Sequence, residues 1–231
     1  MRKIIVIPAR LASTRLPNKL MLPYKGKEII RHVLENALSA KANYVFLASD
    51  DDDILACANG YSASCFPIKT GDCKNGTQRV ADALRFFGLK DGDLIVNMQG
   101  DSPQLTGEYV EELFDILATK QEPIATFAKK STRFHNPNAV KVVLNGSNNA
   151  MYFSRSHVPY GADVCLEHIG IYGFKKSFFD AYDKIMNVTF GQENLEQLAW
   201  LHHRFDIHVS VVNYEGISVD TKDDYDALCL T

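Results

Sequence analysis

The sequence predicts an α/β protein in which a mostly parallel central sheet is flanked by helices. Three short runs rich in aliphatic residues, at Lys3–Pro8, 44–48 and 93–98, have the composition of strands buried on both faces. Segments with helical spacing of apolar residues lie between them, at 28–40 and 77–87. Strands that alternate with helices of this length favour a parallel sheet with helices on both sides.

From about residue 138 the pattern changes to shorter, mixed strands. The runs 140–144 and 150–153 flank Asn145-Gly146-Ser147-Asn148, a sequence typical of a hairpin turn. Further strands are predicted at 168–174 and 207–212, and further helices from about Ser49 to Ala58, near 175–185 and 193–203, and from about Lys222. Because no repeat or linker interrupts the chain, we expect a single domain over residues 1–231.

Composition excludes several classes of protein. Hydrophobic residues make up 46% of the 231 residues and charged residues 23%, a balance typical of folded globular chains. The formal net charge of −3 predicts no broad attraction for nucleic acid or an anionic membrane. The five cysteines are odd in number and form no CxxC pair, which favours free thiols in a reducing compartment. The apolar run before Arg10 is too short for a signal peptide or membrane span, so we expect a cytoplasmic protein.

A basic loop, residues 8–19, follows the first predicted strand. It carries Arg10, Arg15 and Lys19 with small and hydroxyl residues between them. Ligands of open α/β sheets bind beyond the carboxyl ends of the strands, where such a loop can direct N–H groups, guanidinium groups and an ammonium at phosphate oxygens. The loop matches neither GxGxxG nor GxxxxGK[ST], so a Rossmann site or P-loop is not supported. A solvated loop without a ligand is the alternative.

Two aspartates are candidates for a metal site. Asp101 comes in the turn after the strand at 93–98, and Asp220 follows an apolar stretch near the C-terminus. A turn former or a helix cap is the alternative for each. If the fold brings the two carboxylates within about 4 Å, their repulsion is about 4 kcal/mol at an effective dielectric constant of about 20. A magnesium ion would reverse its sign and bridge them to a triphosphate.

Several segments together carry a resemblance to one known family. They are Ile7-Pro8-Ala9-Arg10 with Ser13-Thr14-Arg15-Leu16-Pro17 and Lys19; Gly76-Thr77 with Arg79; Val96-Asn97 with Gln99-Gly100-Asp101 and Pro103; the run from Asn136 to Leu144; Tyr152-Phe153-Ser154-Arg155; His168-Ile169-Gly170-Ile171-Tyr172-Gly173; Leu195-Glu196-Gln197-Leu198; and Val219-Asp220-Thr221. In this order along one chain they resemble the 3-deoxy-manno-octulosonate (Kdo) cytidylyltransferases, also called CMP-Kdo synthetases.

The resemblance implies a nucleotide-diphospho-sugar transferase fold of GT-A-like type, with a small mixed-strand subregion for substrate binding and dimerisation, and a homodimer. It implies that the anomeric hydroxyl of Kdo attacks the α-phosphorus of CTP and releases pyrophosphate, with Mg²⁺ as cofactor. The implied catalytic residues are Arg10, Lys19, Asp101 and Asp220, of which Asp101 and Asp220 hold the metal. The implied nucleotide-binding residues are Pro8, Ala9, Arg10, Ser13, Arg15, Lys19, Asn75, Gly76, Arg79 and Gln99. The implied sugar-binding residues are Gln99, Arg155, His168, Tyr172, Glu196 and Gln197.

Structural roles are the alternative for most of the sugar-binding set. Tyr172 is also suited to a strand with its hydroxyl at the surface, and His168 to the start of that strand. Glu196 and Gln197 are also suited to the solvated face of a helix. Trp200 is expected in the core or at a dimer contact.

The sequence departs from the family pattern at four places. Ser102 replaces a glutamate, Asn75-Gly76-Thr77-Gln78-Arg79 replaces SGTER, and Glu167 takes a position that is usually basic. The stretch between Pro159 and Leu166 is shorter than the family loop by about a dozen residues. We therefore expect the reaction class to hold, with Kdo, amino-Kdo or another ulosonic acid as acceptor. A sugar or polyol phosphate acceptor, or a nucleotide-binding protein without activity, remain the competing hypotheses.

Overall fold

A strand of β-branched residues near the N-terminus is an inner strand among the four parallel strands of the first unit. This strand, β1 (Lys3–Pro8), lies between β4 (Tyr44–Ser49) and β6 (Leu94–Met98), and β5 (Cys65–Lys69) pairs with the far side of β4. Residues 4–7 are fully buried. The parallel sheet predicted from the aliphatic runs is therefore confirmed.

The computed structural model describes residues 1–11, 13, 15–61, 64–85, 87–185 and 193–231. The chain divides into two compact units, one formed by residues 1–115 with 215–231 and the other by residues 116–214. The organisation as one domain stays a prediction. Within the described residues, no helix combines the length and the apolar character needed to cross a bilayer. All five cysteines are free thiols, as predicted.

Helices and two short strands complete the first unit. In chain order they are β2 (Pro23–Tyr24), β3 (Lys27–Glu28), α1 (Ile29–Ser39), α2 (Asp52–Ala56), α3 (Gly76–Leu84), α4 (Gly107–Thr119, which begins in this unit) and α7 (Lys222–Cys229). The helix α1 buries Ile29, Ile30, Val33, Leu34 and Ala37, the residues whose spacing predicted it. The aspartate run starts α2 as expected, since the Asp51 carboxylate accepts a hydrogen bond from the Ile54 N–H.

The second unit is built on a mixed sheet. Its central pair is β7 (Ile124–Ser131) and β10 (Cys165–Lys175), which run antiparallel, and β11 (Ile207–Val211) pairs in parallel with β7. The predicted hairpin is present as β8 (Lys141–Leu144) and β9 (Ala150–Ser154), with β8 paired to β10. The helices of this unit are α5 (Lys176–Ile185) and α6 (Glu196–His202).

Elements that were not predicted from the sequence include α4, β5, β7 and the two-residue strands β2 and β3. The helix α4 buries Val110, Leu113, Phe114 and Leu117, a spacing that indicates a helix and offered a usable signal. The strand β5 contains Pro67, which lowers the strand signal but is tolerated because β5 is an edge strand of the first unit.

A buried ion pair fixes the start of β1 in the first unit. The Asp93 carboxylate is 1% exposed and accepts hydrogen bonds from Nε of Arg2 at 3.1 and 3.0 Å and from the Lys90 N–H at 2.8 Å. Burial alone would raise the pKa of Asp93, but the bonds from Arg2 and Lys90 outweigh it and lower the pKa to about 2. The carboxylate is therefore ionised in the folded protein at almost any working pH.

Replacing Asp93 by asparagine should lower the free energy of unfolding at pH 7 by about 2 kcal/mol. Because the folded pKa is depressed, this stabilisation is complete above about pH 4 and is lost as the pH falls toward 2. Urea unfolding at several pH values measures both effects, and Asp93→Asn should lose less stability than the wild type across that acid range. Asp115→Asn is the control, because this side chain is 79% exposed and lies 3.8 Å from Lys3. Equal stability losses in the two variants would contradict the prediction.

Candidate active site

Two carboxylates converge on the ammonium group of one lysine. Lys19 Nζ donates hydrogen bonds to Asp101 Oδ2 at 2.6 Å and to Asp220 Oδ1 at 2.9 Å. The two carboxylate oxygens therefore cannot be farther apart than the sum of these two distances. The structure brings together the two aspartates that the sequence hypothesis required to meet, and it places a cation of the basic loop between them.

Backbone contacts hold the two aspartate segments side by side. The Asp101 carbonyl accepts a hydrogen bond from the Val219 N–H at 2.9 Å. Val219 is fully buried in a small apolar cluster with Tyr24, Ile29 and Leu228. Leu16 and Leu22, which flank Lys19 in the sequence, pack against the same cluster. One group of apolar side chains thus fixes both the loop that carries Lys19 and the segment that carries Asp220.

The turn that carries Asp101 is closely packed around Gly100, and a side chain there would be crowded. A Cβ atom there would lie 3.2 Å from Cδ1 of Ile30 and 3.3 Å from the carbonyl oxygen of Pro8. The tight turn expected from Met98-Gln99-Gly100-Asp101 therefore brings the end of β6 against the end of β1.

The helix-cap alternative for Asp220 is wrong. The cap of α7 is Thr221, whose hydroxyl accepts from the Asp224 N–H, while the Asp224 carboxylate accepts from the N–H groups of Thr221 at 2.8 Å and Asp220 at 3.2 Å. The Asp220 side chain instead pairs with Lys19 and, at 3.1 Å, with Arg15. The cap alternative also fails for Asp101, because the next helix, α4, begins only at Gly107.

The mutual attraction of these groups keeps them charged. Burial alone would lower the pKa of Lys19, but the negative charges of Asp101 and Asp220 outweigh it and raise the pKa. Burial alone would raise the pKa of Asp220, but Lys19 and Arg15 outweigh it and lower the pKa. At neutral pH the site therefore presents an ionised carboxylate beside a protonated amine.

The donor set fits magnesium. Magnesium prefers oxygen ligands, and proteins commonly hold it with one or two carboxylates while water and substrate phosphates supply the other ligands. Asp101 and Asp220 offer such a pair. Among the described residues there is no group of three or more histidine, cysteine, aspartate or glutamate side chains placed to hold a metal ion. A pair of carboxylates is the kind of donor set that binds magnesium together with substrate phosphates.

Residues of the proposed base pocket gather at the start of α3. A Cβ atom on Gly76 would lie 3.2 Å from the Gln99 side-chain nitrogen and 3.5 Å from Cγ of Pro8, so glycine permits this close approach. Gln99 Nε2 donates to Asn97 Oδ1 at 3.1 Å. Asn75 is the N-cap of α3, since its side-chain oxygen accepts from the backbone N–H of residue 78 at 2.8 Å.

The remaining residues of the nucleotide-binding set differ in exposure. Arg79 is 3% exposed and donates to Thr70 Oγ1 at 2.6 Å, with Asp50 Oδ1 at 3.3 Å, so it fixes the loops after β4 and β5. Ala9 is buried. Arg10 is exposed, and Ser13 is half-buried. Their contact with a nucleotide stays a prediction.

A cluster of neutral polar side chains lies in the second unit. Gln197 Nε2 donates to the Tyr172 hydroxyl oxygen, and the His168 ring nitrogen Nε2 lies 3.0 Å from Thr126 Oγ1. The His168 and Tyr172 rings are 5.2 Å apart between centroids. Tyr172 is 6% exposed and Gln197 5%, so the surface alternatives for these two residues are wrong. Trp200 is in the core, as expected.

Burial determines the protonation of this cluster. It lowers the pKa of His168 to about 3, so the imidazole is neutral at physiological pH. It also raises the pKa of Tyr172 far above its usual range, with a further contribution from the negative charge of Glu196 in the first turn of α6. Both rings are therefore uncharged hydrogen-bonding groups.

Arg155 is held through its backbone by two residues to which the sequence analysis assigned no role. Glu193 Oε1 accepts from the Arg155 N–H at 3.1 Å, and Lys141 Nζ donates to the Arg155 carbonyl at 2.5 Å. Lys141 is fully buried and also bonds the carbonyls of Asn136 and Ala139. A lysine within a short strand gives no sign of such burial. The contact of Thr126 with His168 was missed for another reason, because the strand β7 was not predicted.

Two of the departures from the family pattern have partners in the structure. Ser102 is 1% exposed, and its hydroxyl lies 2.7 Å from Ser218 Oγ and 3.4 Å from Asp101 Oδ1. It therefore adds a side-chain link between the two aspartate segments. Glu167 is 7% exposed and pairs with Arg133 at 3.3 Å, which offsets the negative charge that this position introduces.

Comparison with known proteins defines the class first. The model of the cytidylyltransferase family matches residues 4–210. A solved structure of CMP:2-keto-3-deoxy-manno-octonic acid synthetase complexed with CTP is 31% identical, with a TM-score of 0.90 over 100% of this chain and 98% of that chain. The chain is thus a cytidylyltransferase-family protein with a nucleotidyltransferase fold, and the predicted fold class is confirmed. A 4-diphosphocytidyl-2C-methyl-D-erythritol synthase from Anaerococcus prevotii shares the fold at 15% identity, with a TM-score of 0.69 over 99% of this chain and 97% of that chain.

Curated relatives then define the particular family. The 3-deoxy-manno-octulosonate cytidylyltransferases of Vesicomyosocius okutanii and Ruthia magnifica are 37% and 36% identical over 96% of this chain and 96% of theirs. The chain belongs to the 3-deoxy-manno-octulosonate cytidylyltransferase family.

Loss of the Ser102 hydroxyl should loosen the contact between the aspartate segments. We expect Ser102→Ala and Ser218→Ala each to lower the free energy of unfolding by about 1 kcal/mol, the net value of one hydrogen bond. Because both substitutions remove the same hydrogen bond, the double variant should lose no more unfolding free energy than either single variant. Urea unfolding measures the three values, with Ser39→Ala as a control at an exposed helix end. Strictly additive losses would show that the two hydroxyls act independently.

Proposed function

We propose that this chain is a cytidylyltransferase that joins CMP from CTP to the anomeric hydroxyl of Kdo or a closely related ulosonic acid. Pyrophosphate is the second product. Family membership supports the reaction class. The observation that carries the proposal to this site is the convergence of Asp101 and Asp220 on Lys19, because it supplies a charged site of the kind that nucleotidyl transfer requires.

The basic loop is proposed to bind the triphosphate. Arg10, Arg15 and Lys19 would neutralise the phosphates that leave as pyrophosphate, and charge-assisted hydrogen bonds from such cations are strong. Pro8, Ala9 and Ser13 would line the loop. Asn75, Gly76, Arg79 and Gln99 would surround the base, with Asn75 and Arg79 acting partly through the helix cap and loop contacts described above.

Asp101 and Asp220 are proposed to hold Mg²⁺. When bound, the ion would neutralise negative charge on the α-phosphate oxygens and lower the pKa of a nearby hydroxyl group. The contribution of the protein is to keep the Asp220 carboxylate ionised and to hold the two carboxylates close together. In such a reaction, positioning and charge stabilisation supply most of the acceleration, and no covalent nucleophile on the protein is needed.

The cluster in the second unit is proposed to recognise the sugar. Arg155 would pair with the sugar carboxylate, because His168 is neutral at physiological pH and carries no charge for that purpose. The side chains of His168, Tyr172 and Gln197, together with the Glu196 carboxylate, would hydrogen-bond the hydroxyl groups. Gln99 is proposed as a further sugar contact.

Assembly and location complete the proposal. We propose a homodimer that works in the cytoplasm, both on the strength of the family resemblance. Size-exclusion chromatography with light scattering tests the first point, and a monomer at micromolar concentration would contradict it.

Purified protein supplied with CTP, Mg²⁺ and Kdo should release pyrophosphate and form a CMP-sugar detectable by ³¹P NMR. Asp101→Asn should lower kcat by at least about 100-fold, because it removes a proposed metal ligand at the reacting phosphate. Asp53→Asn is the matched control, since Asp53 is an exposed aspartate in the first turn of α2. Circular dichroism and urea unfolding verify that both variants are folded.

A panel of acceptors decides among the alternatives in the same assay. Kdo as the preferred acceptor supports the proposal, and equal or better turnover of amino-Kdo would replace Kdo by that relative. Preference for a sugar phosphate or polyol phosphate would overturn the acceptor class. A folded wild type that binds CTP but transfers CMP to none of the acceptors would indicate an inactive nucleotide-binding homologue.

A further inference from the structure

Four charged side chains of the first unit form one neutral cluster. Asp101 and Asp220 contribute two negative charges, and Lys19 and Arg15 contribute two positive charges. The ion pairs have N–O distances of 2.6, 2.9 and 3.1 Å. The formal charges cancel within hydrogen-bonding distance, so the carboxylates are already compensated by the protein itself.

Lys19 is the member of this cluster that is best protected from solvent. Its side chain is 13% exposed, against 23% for Asp101, 38% for Asp220 and 49% for Arg15. Charge–charge interactions of partly buried groups are screened less by water and salt than those at the surface. The two bonds of the Lys19 ammonium are therefore the strongest electrostatic contacts that a divalent ion meets there.

A divalent ion that binds alone has to compete with this ammonium. It needs the two carboxylates that Lys19 already pairs with, and its charge would leave the otherwise neutral cluster with two excess positive charges. A nucleoside triphosphate changes the balance, since it brings several negative charges and offers the lysine phosphate oxygens as new partners. The same ion is then attracted by the carboxylates and by the phosphates together.

We propose that Lys19 acts as an internal counter-ion that makes tight binding of the divalent metal dependent on the nucleotide. The inference rests on the proposed function, because it concerns the same metal and the same triphosphate. It assigns Lys19 a second task in addition to phosphate binding. In the free protein the lysine ammonium neutralises the aspartates. In the nucleotide complex the same ammonium contacts the phosphate oxygens instead.

Thermodynamic linkage gives this proposal measurable consequences. If CTP raises the affinity for the metal by some factor, the metal must raise the affinity for CTP by the same factor. Removing the positive charge of Lys19 should strengthen metal binding to the free protein, because the competing cation is gone. It should also reduce the coupling between the two ligands. A lysine that only binds phosphate predicts no gain in metal affinity.

The test uses the full chain and Mn²⁺ as the metal probe, with no acceptor sugar and no turnover. The electron paramagnetic resonance signal of free Mn²⁺ gives the metal affinity without nucleotide. Lys19→Met, which removes the charge and preserves the chain length, should bind Mn²⁺ about tenfold more tightly than the wild type. Calorimetry of CTP with Mn²⁺ and with EDTA gives the coupling factor, which should be smaller in the variant.

Two controls assign the effect to this site. Lys27→Met removes a lysine of a more exposed ion pair, with Glu35, and should leave the Mn²⁺ affinity unchanged. Adding Asp101→Asn to Lys19→Met should abolish the gain, because a proposed ligand is lost. Lys19→Gln provides a second neutral variant, so that the result does not depend on one substitution being folded.

Equal or weaker Mn²⁺ binding in folded Lys19→Met and Lys19→Gln would overturn the proposal. So would a wild type whose CTP affinity is the same with Mn²⁺ and with EDTA. Failure of the proposed function looks different, since it is the absence of CMP transfer by the wild type to any acceptor. A wild type that transfers CMP while the lysine variants gain no metal affinity refutes the counter-ion inference alone.

Discussion

The two ion pairs between Lys19 and aspartates from distant parts of the sequence are the constraint on which the proposed nucleotide site depends. Two carboxylates held this close repel each other unless a cation lies near both. Lys19 supplies that cation, and the apolar cluster around Val219 supplies the backbone positions. Packing of apolar side chains in the first unit thus holds two like charges close together. Such an arrangement is typical of a site that holds a polyanion and a metal.

The two units carry chemically different sites. The cluster in the first unit is charged, because mutual attraction raises the pKa of Lys19 and lowers the pKa of Asp220. The cluster in the second unit is neutral, because burial alone controls His168 and dominates Tyr172. A triphosphate needs charge compensation, whereas the hydroxyls of a sugar need uncharged donors and acceptors. The division agrees with the proposed substrates.

Much of the sheet and the identity of the charged site could be predicted from the sequence. The run Lys3–Pro8 is continuous and aliphatic, so its role as a central strand followed from composition. The edge strand β5 carries a proline and gave a weak signal. Which groups approach Asp220 depends on tertiary contacts. The cap of α7 could have been read as using Asp220 or Thr221, and only the folded geometry shows Thr221 in that role. Lys141 and Glu193 were missed because their importance lies in backbone groups that they contact, which sequence patterns do not show.

The most direct test of the account is a crystal structure with CTP and Mn²⁺, in which anomalous scattering locates the ion. The account predicts an anomalous peak within ligand distance of one carboxylate oxygen from Asp101 and one from Asp220, with the Lys19 ammonium on phosphate oxygens. A nucleotide complex in which the ion contacts neither aspartate, and Lys19 still bridges them, would contradict it.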